Sequence, residues 1–410
     1  MQIQNVMGRT IFDSRGNPTV EAVVYTKNQV GRASAPSGAS TGTHEAVELR
    51  DGGRPYMGKG VNKAIDNINK IDGLIRGMDC REQKRIDKAM IDGDGTPNKQ
   101  NLGANAIVAV SMAVARAAAA ESGKELYAYL NPSADRLPIP LMNIINGGKH
   151  AGSGLAIQEF MIVPSGAKNF SDAMRMGTEV YHTLKGMIAK KYGNAATGVG
   201  DEGGFAPPID KTDDALEIIQ KAVDECGYEK KVRLSLDCAA SSFYADGKYA
   251  IDGKKIGPDK LLDMYVEMID AYKLFSIEDP FNEDDFDSFA TLNKQKLCRV
   301  VGDDLTVTNV ARIRQALDMG AMDTLLLKVN QIGTLTEAFD AAGLAKSNGC
   351  GVIVSHRSGD TCDAFIADLA VALDSGMIKS GAPCRGERLA KYNRLLEIEY
   401  LLGPTAKYGL

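Results

Sequence analysis

The chain has 410 residues, 44% hydrophobic and 25% charged, with 43 glycines, 14 prolines and no tryptophan; at about 150 residues per domain this predicts two to three domains and excludes a short interaction module. Forty-eight Lys and Arg against 53 Asp and Glu leave a net charge of −5, so no global positive field exists to hold a phosphate backbone, and nucleic acid is not expected as a partner.

The N-terminus, MQIQNVMGRT, has no apolar core after a basic start, which predicts neither a secretory signal nor a membrane anchor and points to a cytoplasmic protein. Thr19 to Tyr25 alternates as a strand does, and Val61 to Ile75 and Ala104 to Ala120 carry helical periodicity. The most apolar stretch, Ala106 to Ala120, is broken by Ser111 and Arg116 and reads as an Ala-rich soluble helix, shorter than the roughly 20 apolar residues that a bilayer crossing needs. Strands first and helices after give an α+β domain over residues 1–130. Asn131-Pro132-Ser133, with Pro138 and Pro140 close behind, breaks the helical pattern and sets the boundary to a second domain, residues 131–410.

That second domain repeats one theme, a short apolar run ending in a polar residue: RLSLD to Asp237, FSIE to Glu278, RVVGD to Asp303, TLLLK to Lys328 and GVIVSH to His356. Helical spacing fills the intervals: Val310, Ile313 and Leu317 after Asp303, and Leu335, Ala338, Phe339 and Ala342 after Lys328, the latter opened by a possible capping box, Thr334 to Glu337. Runs apolar on both faces and joined by helices predict a buried parallel sheet, with a (β/α)8-type barrel preferred over an open doubly wound sheet. In such barrels the chemistry sits where strands end.

Asp237, Glu278 and Asp303 then converge as a hard-oxygen set suited to Mg2+ rather than zinc. Without something positive among them they would repel and raise one another's pKa. Lys328 and Lys379 are candidates for that positive charge, and a lysine beside a metal ion and a second lysine should lose its proton more easily, as a general base must; simple ion pairing with the carboxylates is the bland alternative. Of four histidines, His182 reads as structural, His150 lies in the glycine-rich run NGGKHAG, and His356 opens His356-Arg357-Ser358-Gly359, a group of donors fit for a phosphate or carboxylate. Ser37 to Gly42 reads as a lid loop and lacks the Gly-Lys-Ser/Thr ending of a P-loop. Gly200-Asp201-Glu202-Gly203-Gly204 sets two acids between glycines. Seven cysteines, scattered and without a C-x-x-C pair, predict reduced thiols.

With these stretches in order, the chain resembles the enolase family (phosphopyruvate hydratases) over nearly its whole length. The resemblance rests on DSRGNPTVE (13 to 21), PSGASTGTHEA (36 to 46), NIINGGKHAG (143 to 152), QEFMI (158 to 162), GDEGGFAP (200 to 207), LSLDCA (234 to 239), SIEDPF (276 to 281), GDDLTVTN (302 to 309), LLLKVNQIG (325 to 333), SHRSGDT (355 to 361) and SGAPCRGERLAKYN (380 to 393). It implies an α+β capping domain followed by an enolase-type (β/α)8 barrel whose first strands and helices depart from simple alternation, and a homodimer. The implied reaction interconverts 2-phosphoglycerate with phosphoenolpyruvate and water.

Residue by residue, the resemblance implies Asp237, Glu278 and Asp303 as ligands of a first Mg2+, and Ser40 on the lid as a ligand of a second. It implies Lys328 as the base at C2 and Glu202 as the acid that helps the C3 hydroxyl leave. Glu159 and His150 would support them, with Gln158, His356, Arg357, Ser358 and Lys379 around the substrate. Asp360, Cys362 and Gly386 depart from the pattern of many relatives, beside the implied contacts. Two other readings stay open here: a different carboxylate substrate within the same superfamily, and a non-catalytic surface-binding role.

Overall fold

The computed structural model describes residues 1–38, 42–150 and 154–410. Three strands, β1 (Asn5–Phe12), β2 (Pro18–Tyr25) and β3 (Val30–Ser34), form an antiparallel meander in which Val6 pairs with Val24 and Val23 with Arg32. Helices α1 (Asn62–Ile75), α2 (Gln83–Asp94) and α3 (Ala104–Glu121) follow.

The apolar α3 is long enough by composition to cross a membrane, yet most of it is buried inside the protein, against β2 and β3 on one side. Two small-residue features allow this. A Cβ at Gly31 of β3 would stand 2.0 Å from the Ala113 carbonyl oxygen, so only glycine lets strand and helix touch; and the alanines of α3 keep the contact close over its length. The helix end facing the second domain carries Arg116, whose guanidinium donates to both Asp363 oxygens at 2.6 and 2.9 Å.

Eight strands close into a barrel: Ile139–Asn146, Glu159–Val163, Arg233–Asp237, Ser276–Glu278, Arg299–Gly302, Thr324–Leu327, Gly351–Ser355 and Gly376–Lys379, here called strands one to eight. Strand eight pairs back onto strand one, Lys379 beside Leu141. From strand three onward all neighbours are parallel, but strand two is antiparallel to both strands one and three. This reversal brings the start of strand two to the mouth where the others end: Glu159 is in register with both Asn146 and Asp237.

Helices Val310–Asp318 and Leu335–Ser347 follow strands five and six, matching the spacing predicted for them. The Thr334 hydroxyl accepts from the Glu337 N–H at 3.2 Å, and it donates to the Glu337 carboxylate at 2.6 Å instead of the glutamate reaching back to the backbone. The longer interval between Asp237 and Glu278 is filled by an inserted three-stranded antiparallel unit, Tyr244–Ala245, Lys248–Ile251 and Lys254–Ile256, ahead of helix Pro258–Tyr272. Inside the barrel, Leu141, Met161, Val301, Leu326, Ile353 and Met377 pack into one apolar cluster. The polar, chemistry-bearing residues gather beyond it, at the strand ends.

Candidate active site at the barrel mouth

Strands three, four and eight deliver the first group. Register places Asp237 beside Glu278, and the Lys379 ammonium lies 2.9 Å from Asp237 Oδ2, 2.8 and 2.9 Å from the two Glu278 oxygens, and 3.3 Å from Glu159 Oε2. All four side chains are buried. Burial pushes the Glu278 carboxyl well up, reinforced by the Asp237 charge and opposed by Lys379. Asp237 is also pushed up by burial, but Lys379 and Lys328 outweigh this and hold it below the ordinary range.

The next two strands stop one residue short of their functional side chains: Asp303 follows Gly302 and Lys328 follows Leu327. The Lys328 ammonium donates to Asp303 Oδ2, while the Gln331 side-chain amide donates to Asp303 Oδ1 at 3.0 Å and takes a second hydrogen bond from the Thr308 hydroxyl at 3.1 Å. Asp279 turns back under this loop, its carboxylate accepting the backbone N–H of Asp303 at 3.0 Å and of Asp304 at 2.7 Å. Burial is the largest influence on the Lys328 ammonium and pulls it down, but the surrounding carboxylates, Asp303 first and Glu278 behind it, together give a net shift upward. The easier proton loss expected of Lys328 is therefore not what these side chains produce on their own; the uncompensated Asp303 charge holds the proton in place.

The donor set fits a hard divalent cation. Asp237, Glu278 and Asp303 offer only oxygen, and three carboxylates against two ammoniums leave a net negative charge in a buried place. The trios whose ligand-type atoms lie within 4.8 Å of one another among the described residues are two others, Asp279 with Asp303 and Asp304, and His150 with Glu159 and Glu202. Ser40 lies outside the described residues.

The second trio belongs to the other side of the mouth. The loop 200–204 closes on itself through Gly200 N–H to the Gly204 carbonyl at 2.8 Å, with Gly203 at φ +86°. A Cβ at Gly200 would stand 2.2 Å from Asn146 Nδ2, so glycine is what lets the loop press onto the end of strand one and carry Glu202 inward. Glu202 Oε2 accepts from Asn143 Nδ2 at 3.1 Å and lies 3.4 Å from His356 Nε2; its Oε1 lies 3.7 Å from His150 Nδ1, which is equally 3.7 Å from Glu159 Oε1.

Two carboxyls in one buried place cannot both ionise cheaply. Burial, then the Glu202 charge, push Glu159 well above the ordinary range. Burial pushes Glu202 up too, but the imidazoles of His356 and His150, the His356 hydrogen bond and the Arg388 guanidinium together hold it well below. Burial lowers His150, and lowers His356 to about 4.

Arg357 completes the mouth, its guanidinium donating to both Glu45 oxygens at 2.9 and 3.1 Å and to Asn330 at 3.2 Å. Glu45 follows the lid stretch, whose near end is tied down where Ser37 and Gly359 exchange backbone hydrogen bonds of 2.7 and 2.8 Å. Buried side-chain atoms without a hydrogen-bond partner among the described residues collect here: His150 Nδ1, Gln158 Oε1, Glu159 Oε2, Asn143 Oδ1, both amide atoms of Asn146 and Ser380 Oγ. Such atoms are costly unless a ligand meets them.

One cleft is thus lined by His150, Gln158, Glu159, Glu202, Asp237, Asp303, Lys328, His356, Arg357, Ser358 and Lys379, with Glu278 behind Lys379. Sequence reasoning missed Glu45, Asn143, Asp279, Gln331 and Arg388. Gln331, three residues past Lys328, and Asp279, directly after Glu278, carried a usable signal; Glu45, Asn143 and Arg388 lie at no strand end that spacing marks. His182 is exposed on helix Phe170–Tyr192, its ring against Tyr181.

Two family models match, "Enolase, N-terminal domain" over residues 3–130 and "Enolase, C-terminal TIM barrel domain" over residues 134–409. Among curated relatives, enolase of Methanocaldococcus jannaschii is 57% identical over 100% of this chain and 97% of its own length. Enolase of Methanothrix thermoacetophila is 55% identical over 100% of this chain and 98% of its own, and that of Thermococcus gammatolerans 54% over 99% and 96%.

Proposed function

The chain belongs to the enolase family, and we propose that the residues of its barrel mouth divide that family's reaction between a lysine base, Lys328, and a glutamic acid, Glu202. The enzyme interconverts 2-phosphoglycerate with phosphoenolpyruvate and water. A single observation carries the assignment of roles: Lys328 and Glu202 line the same cleft together with Asp237, Asp303 and Lys379.

Lys328 Nζ takes the C2 proton, and the electron pair left at C2 spreads into the adjacent substrate carboxylate. That doubly charged carboxylate needs concentrated positive charge, part of which the buried Lys379 ammonium supplies. Mg2+ would be held by Asp237, Glu278 and Asp303, with Ser40 sharing a second ion; when bound it supplies further positive charge to the substrate carboxylate and offsets the Asp303 charge that keeps Lys328 protonated. The C2–C3 double bond forms as the C3–O bond breaks, and Glu202 gives its proton to the departing oxygen so that water leaves rather than hydroxide.

Glu202 is held ionised by its surroundings, so its proton must be restored. Glu159, held protonated, has its carboxyl within 4.8 Å of Glu202 and shares His150 with it, which supports a supplying role for Glu159 and a bridging one for His150. Arg357, Ser358, Gln158 and His356 line the cleft as donors for the phosphate and carboxylate. The reading also includes a cytoplasmic homodimer; seven free cysteines support a reducing compartment, and the resemblance implies the dimer.

Absorbance of the enol product, followed with purified protein, tests this directly. Activity should vanish in EDTA and return on adding Mg2+ alone; full turnover in the chelator would overturn the metal-dependent reading.

A further inference from the structure

Arg388, on the C-terminal helix Gly386–Leu402, has no exposed surface and is the largest fully buried side chain among the described residues. Its NH1 lies 2.5 Å from His356 Nδ1 and donates to the Arg357 carbonyl at 2.7 Å; its NH2 donates to the carbonyls of Asp201, at 3.1 Å, and of Ser358. One guanidinium thus binds the loop that carries His356 to the loop that carries Glu202.

A guanidinium has only N–H groups to offer and stays protonated in proteins. The ring nitrogen facing it must therefore be an acceptor, which leaves the imidazole proton on Nε2. That nitrogen faces Glu202 Oε2 at 3.4 Å, and the same oxygen takes a hydrogen bond from Asn143 Nδ2 at 3.1 Å. A proton on Oε2 would point into two donors. The other oxygen, Oε1, faces His150 Nδ1 at 3.7 Å, a nitrogen with no hydrogen-bond partner among the described residues.

We propose that Arg388 is a positioning residue that fixes His356 as its Nε2–H tautomer, making Glu202 Oε2 a permanent acceptor and confining the proton that Glu202 delivers to Oε1. This rests on the reading of Glu202 as the acid. The groups facing His356 agree with it: burial and Arg388 hold the ring neutral, with Glu202 and Asp360 pulling the other way.

The alternative is that Arg388 only braces two loops by their carbonyls, and the experiment must separate the two. With 15N-histidine-labelled full-length protein, His356 assigned by comparison with His356→Gln, Nδ1 should resonate as an unprotonated nitrogen and Nε2 as a protonated one, unchanged from pH 8 to pH 5. An Nδ1–H tautomer, or titration near the ordinary histidine value, overturns the proposal without any arginine variant having to fold. In kinetics, Arg388→Met should lower kcat for dehydration about 100-fold while KM and exchange of the C2 proton with solvent change less than about 3-fold. Arg388→Lys, which keeps an N–H toward Nδ1, should recover roughly tenfold of that loss. Parallel loss of exchange and dehydration in Arg388→Met overturns the positioning role. If Glu202→Gln loses both in parallel while the wild-type tautomer is as stated, the acid assignment falls and with it the proton's address on Oε1.

Discussion

On the side of the mouth built by strands three to six and eight, carboxylates face ammoniums: Asp237 and Glu278 share Lys379, and Asp303 holds Lys328. On the side built by strands one, two and seven, Glu202 faces the imidazoles of His150 and His356 and the Asn143 amide, and Glu159, though 3.3 Å from Lys379, shares His150 with it; several polar atoms here have no hydrogen-bond partner among the described residues. The first arrangement fixes charge and leaves a surplus of negative oxygen for a cation. The second leaves charge undecided, so that burial and neighbours drive two identical side chains apart, Glu159 upward and Glu202 downward. One side is built to hold and remove a proton from carbon, the other to store and hand over a proton to oxygen.

Substitution of Lys328 by Ala strikes the first side hardest. C2-proton exchange and turnover should both fall by about 10⁴-fold, at the upper end of what one acid/base group contributes, measured by solvent tritium or deuterium exchange alongside product absorbance. Undiminished exchange would move the base to another residue. Glu202→Gln strikes the second side and should separate the two readouts: dehydration falls about 10³-fold while exchange persists. Equal losses would erase the distinction between the halves.

That distinction was only half visible in the amino-acid sequence. Asp237, Glu278, Asp303, Lys328 and His356 stand at the ends of apolar runs that spacing alone marks, because short runs apolar on both faces and the helices between them advertise where a barrel mouth must be. Gln158 and Glu159 stand at the start of a run, and became mouth residues only because strand two runs backwards; that reversal is a matter of connectivity, which periodicity does not encode, and only the family resemblance pointed there. Glu45, Asn143 and Arg388 act through partners far away in the chain, so no local signal exists for them.

The buried, neutral His356 gives a third test, now in stability. A folded pKa of about 4 against an ordinary value of 6.5 means that between these pH values the unfolded chain binds a proton that the fold excludes. The contribution is fully present above pH 6.5 and is lost as pH falls through that value toward about 4, worth roughly 3 kcal/mol at about 1.4 kcal/mol per pH unit. Denaturant titrations at pH 7 and pH 4 should show His356→Gln losing roughly 3 kcal/mol less stability than the parent over this interval. An equal loss in both proteins would mean that the ring is charged in the fold and that the acid half is not held neutral on this side.

The smallest effect expected returns to the paired half. Gln331 touches no carbon of any substrate in this reading; it ties Asp303 Oδ1 at 3.0 Å, reaches Glu45 Oε1 at 3.4 Å and is itself held by Thr308. Groups that orient a ligand carboxylate typically cost ten- to a hundredfold in metal affinity when removed. Gln331→Leu should therefore weaken Mg2+ binding about tenfold, read by calorimetric titration of the metal alone, and raise the Mg2+ needed for half-maximal turnover in proportion, with kcat at saturating metal within about 3-fold of the parent. The amide then serves the paired half by aiming its carboxylate. A loss of kcat that saturating Mg2+ does not restore would instead tie Gln331, through Asp303, to the protonation of Lys328, and the boundary between holding a cation and removing a proton would run through one side chain rather than between two.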